Sequence, residues 1–256
     1  MSYHEIVAFW QGENIATSAE LEAVLNGKII NFAYHSGKIE NDNITYNDTR
    51  DIFERDTLSN YTGDLRTIFE IRNAKDAMKF VVEAFDKKIT FDASFLKKLQ
   101  YELTKNTYDD RRYSIGERPG EYKKHDYVTG REEVGALPED VADEVTELLT
   151  DLAETELDSA DHILTAAAYF HAKLENIHPF ADGNGRVGRL ATNYFLMIHK
   201  HPPLIIHEED RKEYYAALEA WDTKQDLEPI KKFFMEQIEK TWVKQMQRFL
   251  DIKANG

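Results

Sequence analysis

The apolar positions of this chain recur at helical spacing over most of its length. Ile163, Ala167, Phe170, Leu174 and Ile177 step by four, three, four and three, which lines one face of a helix. Val187, Leu190, Tyr194 and Ile198 repeat that spacing just downstream. Val141, Val145, Leu148, Leu149 and Leu152 follow Pro138, a residue suited to a first helical turn. Met78, Val81, Val82 and Phe85 predict a further helix, and Phe95, Leu96 and Leu99 another. Phe233, Phe234, Ile238, Trp242 and Met246 predict a late one, with Asp222 to Pro229 as the connection before it. No series of alternating strands competes. Periodicity fails only over residues 105 to 137, where TGREEVGALP has the turn-rich composition of a short hairpin. The pattern predicts an all-α fold, with a soft boundary near residue 105 between an N-terminal helical region (1–105) and a second unit (106–256).

Composition narrows the class. The chain has 256 residues, of which 42% are apolar, enough to bury a core. Acidic residues outnumber basic ones 47 to 32, for a formal charge of −15. That argues against nucleic acid and anionic membranes as partners, since both need a basic face. With no cysteine, disulfides and thiolate chemistry are excluded. MSYHEIVAFW lacks the form of a signal peptide and no apolar run is long enough to span a bilayer, so cytoplasmic residence is expected. Oligomeric state is not legible, and weak self-association is compatible with the sequence.

One stretch carries chemistry: HPFADGNGRVGR, residues 178–189. Its Gly183-Asn184-Gly185-Arg186-Val187-Gly188 fits the letters of a dinucleotide fingerprint, but that fingerprint needs a preceding strand inside a βαβ unit. Here a helical pattern precedes the glycines, so they form a helix–loop–helix junction. Such a junction binds anions. Gly183 and Gly185 can expose backbone N–H groups, and a helix starting near Asn184 or Gly185 brings its positive end to the same place. Arg186 and Arg189 lie three apart and can both reach back to the loop. The bland alternative is a glycine turn with two solvated arginines. Against it stand His178, an imidazole able to take a proton from a hydroxyl, and Asp182, a carboxylate able to share Mg²⁺ with phosphates. Phe180 alternates with these polar residues and is expected to anchor the loop.

The stretch resembles the signature of the Fic family (filamentation induced by cAMP), H-P-F-x-[DE]-G-N-G-R-x-x-R, with every fixed position met. The resemblance extends from about residue 95 to 240, through RPGEYKK, VTGREEVGALPEDV, DRKEYYAALEAWD and DLEPIKKFF. It implies a Fic helical bundle in 106–256, with a β-hairpin flap (about 122–134) that clamps a target by strand addition. It also implies transfer of AMP from ATP to a Tyr, Thr or Ser hydroxyl of a target protein, and of the chain itself. His178 would be the general base, and Asp182 would hold Mg²⁺. Gly183, Asn184 and Gly185 would form the anion pocket, with Arg186 at the β-phosphate and Arg189 at the γ-phosphate. Glycine at 185, where a phosphorylating branch of the family has lysine, favours AMP transfer.

SGKIEN, residues 36–41, fits a second pattern of the family, [ST]-x-x-x-E-[GN], an inhibitory helix expected here at about 31–42. The resemblance implies that Glu40 pairs with Arg189 and blocks productive ATP binding, that Ser36 caps or steadies the helix, and that Asn41 ends it. Other readings stay open at this level: UMP transfer, removal of AMP from modified targets, and a non-catalytic helical scaffold. A metal hydrolase using His171, His178, His199, His201 and His207 lacks metal-binding spacing.

Overall fold

The computed structural model describes residues 2–58, 61–127 and 135–254, the last seven of these by backbone alone. Among them there are helices and connections and no strand. In chain order the helices are α1 (Tyr3–Gly12), α2 (Ser18–Leu25), α3 (Lys28–Glu40), α4 (Tyr46–Arg55), α5 (Leu65–Asp86) and α6 (Ala93–Thr104). They continue with α7 (Asp110–Ser114), α8 (Val141–Glu154), α9 (Ala160–Ile177), α10 (Asn184–Ile198), α11 (Arg211–Lys224) and α12 (Glu228–Ala254).

Local chemistry explains the starts. Thr17 accepts from the Glu20 N–H and closes a capping box, Asp92 accepts from the Phe95 N–H, and Ser159 from the His162 N–H. The periodic apolar positions then decide the packing. All five of the α9 series are buried, and α9 packs along α10 at the centre of the bundle. On one side α9 meets α8, α11 and α12; on the other α10 meets α5, α6 and α3. One apolar cluster runs from Tyr3 to Met246, across residue 105. Trp10 of α1 and Trp242 of α12 meet edge to face at 5.1 Å, tying the N-terminus to the last helix.

Several boundaries differ from the periodic reading. Helix α8 begins at Val141, so Pro138 sits in the turn before it rather than in its first turn. Helix α5 has 22 residues, because its first half presents polar groups such as Thr67, Glu70 and Asn73 to neighbours instead of an apolar stripe. Asp222 lies inside α11, and Pro229 lies in the first turn of α12, where its missing N–H has no partner to lose. Of the expected flap, residues 122–127 are irregular and residues 128–134 lie outside the described residues. No described helix is long and apolar enough to cross a membrane.

Candidate active site

Two left-handed corners shape the loop between the central helices. Helix α9 stops where His178 takes φ 51° and ψ 60°, its N–H still bonded to the Leu174 carbonyl at 3.0 Å. Gly183 makes the second corner, at φ 85°, directly before α10. A Cβ there would come within 2.8 Å of Thr104 Cγ2, so both the backbone angle and the space call for glycine. Asn184 sets the span between them. Its Oδ1 accepts from the Phe180 N–H at 2.9 Å, and its Nδ2 donates to the Phe180 carbonyl at 2.7 Å. The Phe180 ring is fully buried against Tyr122, as its alternation with polar residues suggested. The Asn184 side chain is therefore engaged within the loop. What Asn184, Gly185 and Arg186 offer an anion is the set of N–H groups of the first helical turn, at the positive end of the dipole.

His178 is half-buried. One ring nitrogen donates to the Glu175 carbonyl, which leaves the other as an acceptor in the neutral ring. Burial, and then the charge of Lys123, push its pKa down to about 4. The polypeptide clasps this residue from both sides. The Lys123 N–H donates to the Pro179 carbonyl and the Ala136 N–H to the Ile177 carbonyl, each at 2.9 Å. These two bonds bracket the segment expected as the flap (about 122–134) and end on the residues flanking His178.

Asp182 faces three guanidinium groups. Arg186 Nη2 donates to Oδ1 at 3.0 Å and Arg66 Nη2 to Oδ2 at 2.7 Å, with Arg112 Nη1 3.5 Å from the same Oδ2. Burial alone would raise the pKa of this carboxyl. Arg186, Arg112 and Arg66, with the Gly183 N–H, outweigh burial and hold it below the ordinary range, so it is ionised.

Arg189 points to α3. Its Nε donates to Ser36 Oγ at 2.9 Å, and its Nη2 to the Ser36 carbonyl at 2.9 Å and to Glu40 Oε1 at 2.7 Å. Burial disfavours its charge, but the Glu40 carboxylate, then Tyr214 and Glu175, raise its pKa. Ser36 and Glu40 lie one turn apart, so one face of α3 meets the arginine. Ser36 caps nothing: α3 starts eight residues earlier, after a left-handed Gly27, and the hydroxyl serves Arg189 instead. Asn41 does end the helix, in an extended conformation, and its amide donates to Glu70 Oε2 at 2.7 Å and Thr67 Oγ1 at 3.1 Å. A Cβ on Gly185 would collide with Glu40 Oε1 and come within 2.9 Å of Arg189 Nη1. The Glu40 carboxylate therefore lies against the amide-rich turn, in the position an anionic ligand would take. Both motif arginines are buried rather than solvated.

The sequence gives no sign of several groups around this centre. Arg66 and Arg112 come from α5 and α7. Gln100 Nε2 holds the Asp182 carbonyl at 2.9 Å. Glu175 is half-buried near Arg189, and its Oε1, itself buried, has no hydrogen-bond partner. Burial pushes its pKa up to about 8, Arg189 opposing and Glu40 and Asp222 adding. The other histidines considered for a metal pack elsewhere: His171 between Thr192 and Tyr214, His201 against Tyr3, His207 against Gln237, and His199 against the Phe195 ring. Among the described residues no three His, Asp or Glu side chains converge as a metal-binding group.

Comparison with known proteins bears on the family. The Fic/DOC family model matches residues 90–196, from just before α6 to near the end of α10. The chain is 33% identical over 214 residues to Protein adenylyltransferase Fic of Drosophila willistoni, covering 81% of this chain and 40% of that one. It is 34% identical over 218 residues to the protein of the same name from Drosophila persimilis, covering 81% and 39%. The chain spans about two-fifths of the length of these curated relatives. A Fic domain containing signaling protein from Bacteroides thetaiotaomicron shares the fold, with a TM-score of 0.77 at 22% identity over 93% of both chains. So does Fic-1 from C. elegans, with a TM-score of 0.76 at 22% identity over 99% of this chain and 72% of that one. With the loop, the bundle and these relatives in agreement, the chain carries a Fic/DOC domain and belongs to the Fic/DOC family.

Proposed function

We propose that the chain transfers AMP from ATP to a Tyr, Thr or Ser hydroxyl of a target protein and of itself, and that Glu40 restrains it. The observation that carries this reading is the convergence on one helix N-terminus of a neutral imidazole, an ionised carboxylate and two buried arginines. The relatives named protein adenylyltransferase add support.

The chemistry follows from the placement. The acceptor nitrogen of His178 takes the proton of the target hydroxyl as its oxygen bonds to the α-phosphorus. The bond from that phosphorus to the bridging oxygen breaks, and pyrophosphate leaves. General-base help of this kind contributes on the order of 10²–10⁴-fold. The first-turn N–H groups of α10, Arg186 and Arg189 align and neutralise the phosphate tail, the dominant requirement in phosphoryl-type transfer. Asp182 fits Mg²⁺ as an ionised hard-oxygen donor, since this ion takes one or two carboxylates and completes its shell with phosphate and water. When bound, Mg²⁺ supplies charge neutralisation on the phosphates. The bonds of Lys123 and Ala136 to the carbonyls flanking His178 support a flap whose ends lie beside the base, on the side from which a target hydroxyl would approach.

ATP labelled at the α-phosphorus tests the reading. The Glu40→Gly chain should label itself, and adding His178→Ala should abolish labelling while nucleotide binding is kept. Undiminished labelling without the imidazole would remove His178 as base, and label arriving only from the γ-position would make the chain a kinase instead.

A further inference from the structure

Asp182, the one motif carboxylate suited to a metal, has both of its oxygens taken. Oδ1 belongs to Arg186, three residues into its own helix, at 3.0 Å. Oδ2 is held most closely by Arg66, at 2.7 Å. Arg66 comes from α5, outside the matched Fic/DOC segment, and its side chain is 41% exposed. Its other side is fastened: Nε donates to Glu70 Oε1 at 3.0 Å. The second oxygen of Glu70 accepts from the Asn41 amide at 2.7 Å, and Asn41 is the residue that ends α3.

A continuous chain of hydrogen bonds therefore runs from the end of α3 to Asp182 Oδ2: Asn41, Glu70, Arg66, Asp182. One turn earlier on the same helix, Ser36 and Glu40 hold Arg189. A guanidinium and a divalent cation on one carboxylate oxygen compete, because like charges that close repel and each draws on the same negative charge. Arg112 Nη1, at 3.5 Å, stands further from Oδ2 than Arg66 at 2.7 Å, so Arg66 is the stronger competitor.

Resting on the adenylyltransferase reading, the geometry points to Arg66 as a metal latch. It competes with the divalent cation for Asp182 Oδ2, and α3 sets its grip through Asn41 and Glu70. The helix thus closes both halves of the nucleotide site, the phosphate arginine through Glu40 and the metal carboxylate through Asn41. Arg66 acts through Asp182 and is a positioning residue.

The test measures metal binding rather than turnover. Manganese affinity for the complex with a non-hydrolysable ATP analogue is read by electron paramagnetic resonance in the Glu40→Gly chain, with and without Arg66→Gln. Metal-free affinity for the same analogue is read by calorimetry. Arg66→Gln should tighten manganese binding about tenfold, equivalent to about 1.4 kcal/mol, and leave metal-free nucleotide affinity unchanged. Arg66→Lys, one point charge where a fork held two carboxylates, should give a smaller gain. So should Asn41→Ala, which leaves Arg66 in place but unfastens Glu70. Equal manganese affinity with and without Arg66 overturns the latch. A fall in metal-free nucleotide affinity makes Arg66 a phosphate ligand and overturns it as well. No gain with Asn41→Ala overturns the link to α3. Absence of nucleotide binding from the Glu40→Gly chain would refute the adenylyltransferase reading itself, and the latch with it.

Discussion

Replacing Glu40 by glycine removes the carboxylate that occupies the anion position at the start of α10. The Arg189 side chain is 2% exposed, and that of Glu40 is 36% exposed. A hydrogen bond to a charged group contributes about 1.5–3 kcal/mol. Screening at the open Glu40 side lowers this to about 1–2 kcal/mol for the pair at 2.7 Å. A ligand that must first displace the glutamate binds more weakly by the fraction of molecules already open. The substitution should therefore raise nucleotide affinity about 5- to 30-fold. Arg189 stays oriented, because Ser36 still accepts from its Nε and Nη2 at 2.9 Å each. Glu40→Gln keeps the shape and one acceptor without the charge, so its gain should be smaller. Calorimetry with the non-hydrolysable analogue reads affinity, and self-labelling from α-labelled ATP reads transfer. If Glu40→Gly binds the analogue within twofold of the parent chain, Glu40 is a surface residue that happens to touch Arg189, and the competitive-anion argument is wrong.

Three further predictions concern the same centre. Asn184→Ala loses both bonds to Phe180 and leaves a buried peptide unpaired, so it should destabilise the fold by about 2–4 kcal/mol in urea titration; a loss under 0.5 kcal/mol would contradict that role. Glu175 keeps its proton in the folded state up to about pH 8 but loses it near 4.5 when unfolded. The folded chain thus binds more protons in that window, and stability falls as pH rises through it. Glu175→Gln should therefore raise the melting temperature by a margin that grows from pH 5 to pH 9, and a pH-independent margin would refute the buried-carboxyl argument. His178 has the opposite sign. With its pKa near 4 in the folded chain and 6.5 for a free imidazole, the unfolded chain binds the extra proton between those values. Its contribution to stability is present above 6.5 and is lost as pH falls towards 4, as it is for buried His171 and His201. Transfer by the Glu40→Gly chain should accordingly lose its base below about pH 5, not near 6.5.

The central loop was legible because its determinants are local. Helical spacing on both sides, two glycines and an ordered run of polar side chains all lie within a few turns, and the anion site follows from where a helix begins. The capping signals at Thr17, Asp92 and Ser159 are local too, and they mark starts that apolar periodicity alone passes over. The α3 pairing lay further off, since Glu40 and Arg189 are 149 residues apart. Only a pattern borrowed from the family joined them, and of its two roles for Ser36, capping or steadying the helix, the capping one does not apply, because the residue lies within α3. Arg66 had no such pattern. Its partner is 116 residues away, and in the sequence Arg-x-x-x-Glu on a helix reads as a routine surface pair. Knowing that α5 packs beside α10 is a tertiary fact, and that packing turns a surface pair into a contact with the site.

Burial of the charges gives this centre its character. Each group that would meet a nucleotide already has an internal counter-charge: Arg189 has Glu40, Arg186 has Asp182, and Asp182 also has Arg66 and Arg112. A buried charge without a partner costs several kcal/mol, so a cluster of buried charges like this one folds without ligand only if its members balance one another. On the proposed reading, Glu40 competes with phosphate for Arg189 and the first turn of α10, and Arg66 competes with the cation for Asp182. Nucleotide binding is then an exchange of partners within a neutralised site, and its strength is a difference between two sets of ion pairs. Small changes on α3, which holds one partner directly and the other through Asn41 and Glu70, are therefore sufficient to move the balance.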